Sequence, residues 1–202
     1  MLIRLYEQNI NIRELDKIIE TLKEGGIIIY PTDTVYAMGC DALNVRAIEK
    51  ICKIKGINPQ KNSLSIICPD LSNISEYAKV NNAVFKLMKR NLPGPFTFIL
   101  NATHSLPKIY KNRKEVGIRV PNNNITLMLA KKLGNPLLTT SVRDKDQWGE
   151  YSVDPELMEG DYGDVVDVII DGGYGGFEPS TIINCTTDEI EIVRQGKGEL
   201  LE

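Results

Sequence analysis

Helical and β-type hydrophobic periodicities alternate along this chain, and that alternation is the feature that most constrains its fold. Residues 12–23 carry apolar side chains at helical spacing, and Gly25-Gly26 follows as a stop signal. The apolar run 27–30 comes next and ends at Pro31, which cannot donate to a sheet ladder. This first unit predicts an amphipathic helix followed at once by a buried strand.

The same alternation continues to the end of the chain. Further helices are predicted at 44–55, 82–91 and 124–133. Further strands are predicted at 64–68, 96–100, 116–120, 137–141, 166–171, 180–184 and 190–194. Helices interleaved with short strands indicate an α/β (α+β) fold, a mixed twisted sheet flanked by helices, in one domain spanning 1–202.

Several classes of protein are excluded or disfavoured by composition. The cysteines Cys40, Cys52, Cys68 and Cys185 form no C-x-x-C pair, which argues against a zinc site or a disulfide framework. The N-terminus does not resemble a signal peptide, and no apolar run reaches 18 residues, so we expect a cytoplasmic protein with no membrane partner. His104 is the only histidine, so a Ser-His-Asp triad is excluded or very weak. No metal site is predicted.

Charge is distributed unevenly along the chain. The net charge of -3 argues against nonspecific coating of nucleic acid, although it leaves room for a local basic cleft. Basic residues concentrate at 46–61 and at 108–114. Each cluster has two interpretations, a solvated helix face or part of such a cleft.

Residues 26–42 form the most informative segment. A buried strand runs into Pro31 and delivers Thr32, Asp33, Thr34 and Tyr36 at its carboxyl end. Ligands of open α/β sheets usually bind at such strand ends. The alternative is a turn stabilised by its own side chains, and the sequence leaves both open.

Other candidates follow predicted strands and helices. Lys55 lies at the end of a predicted helix, where a cation either complements the dipole or reaches a phosphate. Arg119 lies on a strand between Ile118 and Val120, which should face the opposite side of the sheet. A strand arginine needs a carboxylate or phosphate, either in a ligand or in an internal salt bridge.

Six segments occur in one order along the chain: YPTDTVYAMG (30–39), PGPFT (93–97), VGIRVP (116–121), LLTTS (137–141), EPSTIIN (178–184) and VRQG (193–196). Together they resemble the YrdC/YciO family, and IKG followed by LSIIC is similar to its YciO branch. The resemblance implies a YrdC-like fold with a large concave, positive cavity. It also implies a nucleotidyltransferase that converts ATP, L-threonine and bicarbonate into threonylcarbamoyl-AMP and pyrophosphate, with Mg accompanying ATP. That product serves the modification of adenosine 37 in tRNA.

The resemblance also implies residue roles, although no catalytic residue is assigned. The residues implied to bind threonine are Thr32, Thr34, Tyr36, Arg119 and Ser180. Those implied to bind the nucleotide are Lys55, Ser141, Arg143 and Arg194.

Two positions depart from the synthase pattern. Ile57 stands where the family's Lys-x-Arg motif has its second cation, and Arg143 stands where its Ser-x-Asn element has asparagine. Loss of a charged hydrogen bond to phosphate, worth about 1.5–3 kcal/mol, predicts ATP binding or turnover weaker by roughly ten- to hundredfold. Two functions therefore compete: a threonylcarbamoyl-AMP synthase or a weak relative of it, and a noncatalytic protein that binds tRNA or double-stranded RNA in the same cavity.

Overall fold

The computed structural model describes residues 1–59, 64–111, 114–142 and 153–201. Within them, eleven strands form one sheet. The strands are β1 (Leu2–Arg4), β2 (Ile28–Tyr30), β3 (Ala37–Asp41), β4 (Ser65–Ile67), β5 (Ala78–Lys79), β6 (Phe96–Ala102), β7 (Glu115–Arg119), β8 (Leu137–Ser141), β9 (Val168–Asp171), β10 (Thr181–Asn184) and β11 (Glu191–Arg194). The helices are α1 (Ile12–Lys23), α2 (Val45–Ile54), α3 (Ile74–Tyr77), α4 (Asn82–Asn91), α5 (Lys108–Lys111), α6 (Asn124–Leu133) and α7 (Pro155–Tyr162).

The strands lie in the order β1-β9-β2-β3-β8-β4-β7-β6-β10-β11, and β5 pairs with β6 at the side of this path. The pairs β1·β9, β2·β9, β4·β7 and β6·β10 are parallel. The other pairs are antiparallel. The predicted mixed α/β sheet is therefore confirmed.

The first helix shows how local signals set an element. The Asn11 side chain accepts hydrogen bonds from the backbone N–H groups of Arg13 and Glu14, so it caps donors that have no partner inside the helix. The helix then buries Leu15, Ile18, Ile19 and Leu22. Its observed bounds are those that the hydrophobic spacing predicts.

The sheet is covered on both faces, so its central strands are apolar on both sides. Ile28 and Tyr30 belong to a hydrophobic cluster with α1 and α6. Ile27 and Ile29 belong to a second cluster on the other face. Because side chains alternate along a strand, the continuous apolar run 27–30 feeds both cores.

Six elements have no counterpart in the predictions: the short strands β1 and β5, the short helices α3 and α5, strand β3 and helix α7. Strand β3 contains Gly39, which weakens a strand pattern, but a Cβ there would meet the Tyr30 ring. Helix α7 buries only Pro155 and Met158, so its hydrophobic pattern is faint. The sequence nevertheless carries a signal for the start of this helix, because Asp154 caps it and Pro155 follows at its first position.

All four cysteines are buried and unbonded. Among the described segments, none of the helices combines the length and the apolar character that crossing a bilayer requires.

Candidate functional site

One face of the sheet carries a cavity of about 180 Å³. Its wall contains two guanidinium groups, those of Arg119 and Arg194, together with Thr34. Hydroxyl groups supply much of the remaining polar lining, from Ser65, Thr97, Thr139, Thr140, Ser141 and Ser180. A cavity with these donors suits a carboxylate or a phosphate.

Sheet register brings part of this lining together. Ser141 on β8 pairs with Ala37 on β3, and Thr139 pairs with Ser65 on β4. Ser65 in turn pairs with Gly117 on β7. Directly paired residues point to the same face, so these side chains converge from four strands that are far apart in sequence.

The glycine at the centre is needed for close packing. A Cβ on Gly117 would overlap with Ser65 Oγ and lie 3.0 Å from Thr97 Cγ2. Glycine therefore lets two hydroxyl-bearing side chains close over the cavity floor.

A second part of the lining lies where β6 meets the last two strands. Thr97 on β6 pairs with Ile182 on β10, which pairs with Arg194 on β11. The hydroxyl groups of Thr97 and Ser180 lie 2.8 Å apart. Arg194 donates from Nε and Nη2 to the Ser180 carbonyl at 3.1 and 2.6 Å, which holds the guanidinium beside this hydroxyl pair.

The segment after Pro31 folds as a turn that presents Thr34 to the cavity. Thr32 Oγ1 accepts from the Thr34 backbone N–H at 3.0 Å and donates to the Val35 carbonyl at 2.7 Å. Thr32 itself is not among the cavity-lining residues. Of the two interpretations of this segment, self-stabilised turn and strand-end site, the structure supports the first for Thr32 and is compatible with the second for Thr34.

Arg119 lies at the back of the cavity in an internal ion pair. Its Nη2 donates to Asp33 Oδ1 at 3.2 Å and to Thr34 Oγ1 at 3.0 Å. Asp33 Oδ2 also accepts from the Asn122 backbone N–H at 2.9 Å. Burial lowers the pKa of the Arg119 guanidinium from its usual value, and the Asp33 carboxylate opposes that shift.

Arg119 also carries a buried donor, its Nε, without a hydrogen-bond partner among the described residues. A buried donor without a partner costs free energy, so the fold holds this guanidinium at a cost. Arg119 thus combines both alternatives, an internal salt bridge and a binding group on the cavity wall.

Lys55 lies beside the cavity rather than on its lining. It is the C-cap residue of α2, and its ammonium donates to the Val142 carbonyl at 2.9 Å. Val142 follows Ser141 directly, so Lys55 reaches the strand end that carries this cavity hydroxyl. Arg143, the next residue, lies outside the described residues.

Tyr36 lies outside the cavity lining as well. Its hydroxyl donates to the Gly173 carbonyl at 2.7 Å and accepts from the Gly172 N–H at 3.0 Å. Burial raises the pKa of this phenol, so it stays protonated. In this structure Tyr36 anchors the loop after β9, and its implied contact with threonine stays a prediction.

The structure therefore brings five predicted site residues together on one cavity: Thr34, Arg119, Ser141, Ser180 and Arg194. Thr32 is hydrogen-bonded to Thr34, and Lys55 is hydrogen-bonded to Val142, the residue after Ser141. Sequence reasoning assigned no site role to four of the lining residues, Ser65, Thr97, Thr139 and Thr140. A usable signal existed for two of them, since Ser65 and Thr97 are the polar residues inside the apolar segments LSIIC and FTFIL.

Comparison with known proteins gives a consistent answer across the chain. The Sua5/YciO/YrdC family model, described as telomere recombination, matches residues 20–196. The uncharacterized protein YciO of Escherichia coli is 39% identical over 198 residues, which are 97% of this chain and 95% of YciO. A putative threonylcarbamoyl-AMP synthase of Methanocaldococcus jannaschii is 35% identical over 203 residues, 96% of this chain and 92% of that protein.

Solved structures agree with these relatives. The crystal structure of E. coli YciO superposes with a TM-score of 0.91 at 38% identity, covering 98% of this chain and 97% of that one. P. abyssi Sua5 complexed with L-threonine superposes with a TM-score of 0.87 at 26% identity, covering 97% of this chain and 57% of Sua5. Family model, sequence relatives and fold all lead to one conclusion: this chain belongs to the Sua5/YciO/YrdC family.

Proposed function

We propose that this protein is an L-threonylcarbamoyl-AMP synthase or a weaker relative of that enzyme. The observation that carries the proposal is the cavity that Arg119 and Arg194 line together with many hydroxyl groups, because such a wall suits a carboxylate beside a phosphate. The match to a putative synthase and to a Sua5 structure that holds L-threonine supports this choice of substrates.

In this proposal Arg119 receives the threonine carboxylate. Arg119 lies on the cavity wall, and Asp33 keeps the guanidinium in place through Nη2. Thr34 and Ser180 line the same cavity and offer hydroxyl groups to the amino acid. A charged hydrogen bond in a buried site of this kind contributes about 1.5–3 kcal/mol.

The nucleotide occupies the side of the cavity near Ser141 and Arg194, with Lys55 beside it. Mg²⁺ enters with ATP, bound to phosphate oxygens as it usually is. Among the described residues, no group of three or more His, Cys, Asp and Glu side chains could hold a metal ion.

The proposed reaction has two bond-forming steps. The threonine amine attacks the carbon of CO2 or bicarbonate and forms a carbamate; bicarbonate loses its hydroxyl as water. A carbamate oxygen then attacks the α-phosphorus of ATP and forms a P–O bond, while the bond to the β-phosphate breaks and pyrophosphate leaves. Positioning and fixed positive charge supply the acceleration, so the site needs no histidine.

The test is direct synthesis with purified protein. Protein, ATP, L-threonine and bicarbonate are incubated, and pyrophosphate and the adenylate product are quantified by chromatography. We expect pyrophosphate release that requires threonine and falls at least tenfold in Ser180→Ala and Lys55→Ala. Ser75→Ala on the exposed surface is the matched control and should retain full activity. Release that is independent of threonine, or equal in all variants, would exclude the proposal.

A second candidate function, noncatalytic binding of tRNA or double-stranded RNA, is favoured by the basic surface of α2, where Arg46, Lys50 and Lys53 are exposed. Phosphate contacts made by these residues would release counterions, so affinity should fall steeply with added salt. RNA binding that is weak and insensitive to salt would eliminate this candidate.

A further inference from the structure

Lys197 is not itself a lining residue, but it is hydrogen-bonded to segments that form the cavity wall. Its backbone N–H donates to the Pro179 carbonyl at 2.9 Å, and its ammonium donates to the Asp33 carbonyl at 2.6 Å. Pro179 lines the cavity, and Asp33 precedes Thr34, which lines it as well. One side chain therefore connects two segments that belong to different parts of the cavity wall.

The backbone on either side of Lys197 is fixed. Gly196 donates its N–H to Thr181 Oγ1 at 3.0 Å, and Thr181 Oγ1 donates to the Gly198 carbonyl at 2.6 Å. A Cβ on Gly196 would lie 2.7 Å from the Ser180 carbonyl oxygen, so this segment packs directly on β10. The position of Lys197 beside the cavity wall is thus set by its neighbours, and only its side chain can adjust.

The ammonium has no ion-pair partner among the described carboxylates. Its hydrogen-bond partner is a neutral carbonyl. Arg119, in contrast, is paired with Asp33. An ammonium has three donors, so two N–H groups of Lys197 remain available for an anion at the mouth of the cavity.

We infer that Lys197 is a phosphate-binding residue that contacts the polyphosphate of the nucleotide at the mouth of the cavity. It supplies, from the end of the chain, a cation for a site in which Ile57 replaces the second cation of the Lys-x-Arg motif. The inference rests on the proposed function for the identity of the ligand as ATP. The contact itself requires only an anion with phosphate chemistry.

In a competing account, Lys197 is a purely structural latch: its hydrogen bond to Asp33 only stabilises the contact between the segment around Lys197 and the turn at residues 32–34. The two accounts differ in what they predict. A latch contributes to the stability of the fold and to every ligand alike, whereas a phosphate-binding cation affects phosphate ligands selectively.

The experiment compares Lys197→Met and Lys197→Arg with Lys79→Met in the full-length protein. The matched control is Lys79, an exposed lysine on β5. It pairs with Asn101 on β6, four residues after the cavity residue Thr97. Calorimetric titrations give the Kd of inorganic pyrophosphate, of ATP with Mg²⁺ and of L-threonine, and thermal unfolding gives Tm.

We expect Lys197→Met to raise the Kd of pyrophosphate and of ATP about tenfold, with the Kd of L-threonine and Tm little changed. Lys197→Arg should stay within about threefold of the parent protein, because it keeps the charge. Lys79→Met should bind as the parent does.

Three results would overturn the inference. The first is an unchanged Kd for pyrophosphate and ATP in Lys197→Met, and the second is a parent protein that binds neither pyrophosphate nor ATP. The third is a Lys197→Met variant with a lower Tm that loses affinity equally for pyrophosphate, ATP and L-threonine. A parent protein that binds ATP through Lys197 but forms no threonine-dependent adenylate would refute the proposed synthase and leave the phosphate contact standing.

Discussion

The Arg119 guanidinium and the Asp33 carboxylate form an ion pair of 3.2 Å in which each side chain is only 8% exposed. The pair joins the end of β7 to the turn that follows β2, two segments 86 residues apart. Removing charges of this kind from water is costly, and their mutual attraction offsets the cost only while both are present. The pair therefore couples the stability of the fold to the shape of the cavity.

Asp33→Asn should lower the free energy of unfolding by about 3 kcal/mol, because a buried guanidinium loses its counter-charge. Urea denaturation measures the change. The double variant Asp33→Asn with Arg119→Met removes both charges and should be more stable than Asp33→Asn alone. A loss below about 1 kcal/mol in the single variant would mean that the pair is effectively hydrated.

Gly117→Ala should destabilise the protein by about 1–3 kcal/mol, because the added methyl group overlaps with Ser65 and crowds Thr97. It should also abolish ligand binding, since both neighbours form the cavity floor. Gly160→Ala is the matched control: nothing lies within 4 Å of a Cβ at this position in α7, and alanine should stabilise that helix by about 0.5–1 kcal/mol. Equal effects on stability at the two sites would contradict this description of the floor.

Ile57→Arg should increase ATP affinity or turnover by roughly ten- to hundredfold, since it restores the guanidinium that the synthase motif carries two residues after Lys55. Activity assays at limiting ATP measure the gain. Val45→Arg adds the same charge at the exposed start of α2, about 15 Å from its other end, and should give no gain. A similar gain in both variants would indicate long-range attraction instead of a local contact.

Cys68 should make stability depend on pH in the alkaline range. Burial raises the pKa of this thiol from 9.0 to about 12, so between these values the unfolded chain has lost a proton that the folded chain retains. The free energy of unfolding then falls with rising pH, by about 1.4 kcal/mol per unit for one group.

In Cys68→Ala this contribution is absent, so the stability difference between parent and variant should shrink as pH rises from about 9. Urea denaturation at several pH values between 8 and 10.5 measures it, and Ser75→Ala should retain the parent slope. Parallel slopes for the parent and Cys68→Ala would disprove the assignment.

Local signals were sufficient for much of the fold. The spacing of Leu15, Ile18, Ile19 and Leu22, with Asn11 as cap, defines α1 within the chain segment itself. The alternation of side chains along β7 predicts that Arg119 faces one side of the sheet and that Ile118 and Val120 face the other. Both of those residues lie in the hydrophobic core. Such predictions succeed because the cause and its effect lie within a few residues.

The composition of the cavity could not be predicted in the same way. The hydroxyl pair Thr97–Ser180 exists because β6 and β10 pair in parallel across 83 residues, a register that no local pattern fixes. Alternation alone does suggest that Tyr36 faces away from Val35 and Ala37, which line the cavity.

The residues of the cavity wall range from Thr34 to Arg194. The wall is therefore complete only when β10 has paired with β6 and β11 has paired with β10. A nascent chain emerges from the ribosome with its N-terminal part first. The complete cavity is therefore among the last features of the fold to form during synthesis. A product cut short before Pro179 would retain many of the residues of its hydrophobic cores but would lack Pro179, Ser180, Ile182 and Arg194 from the cavity wall.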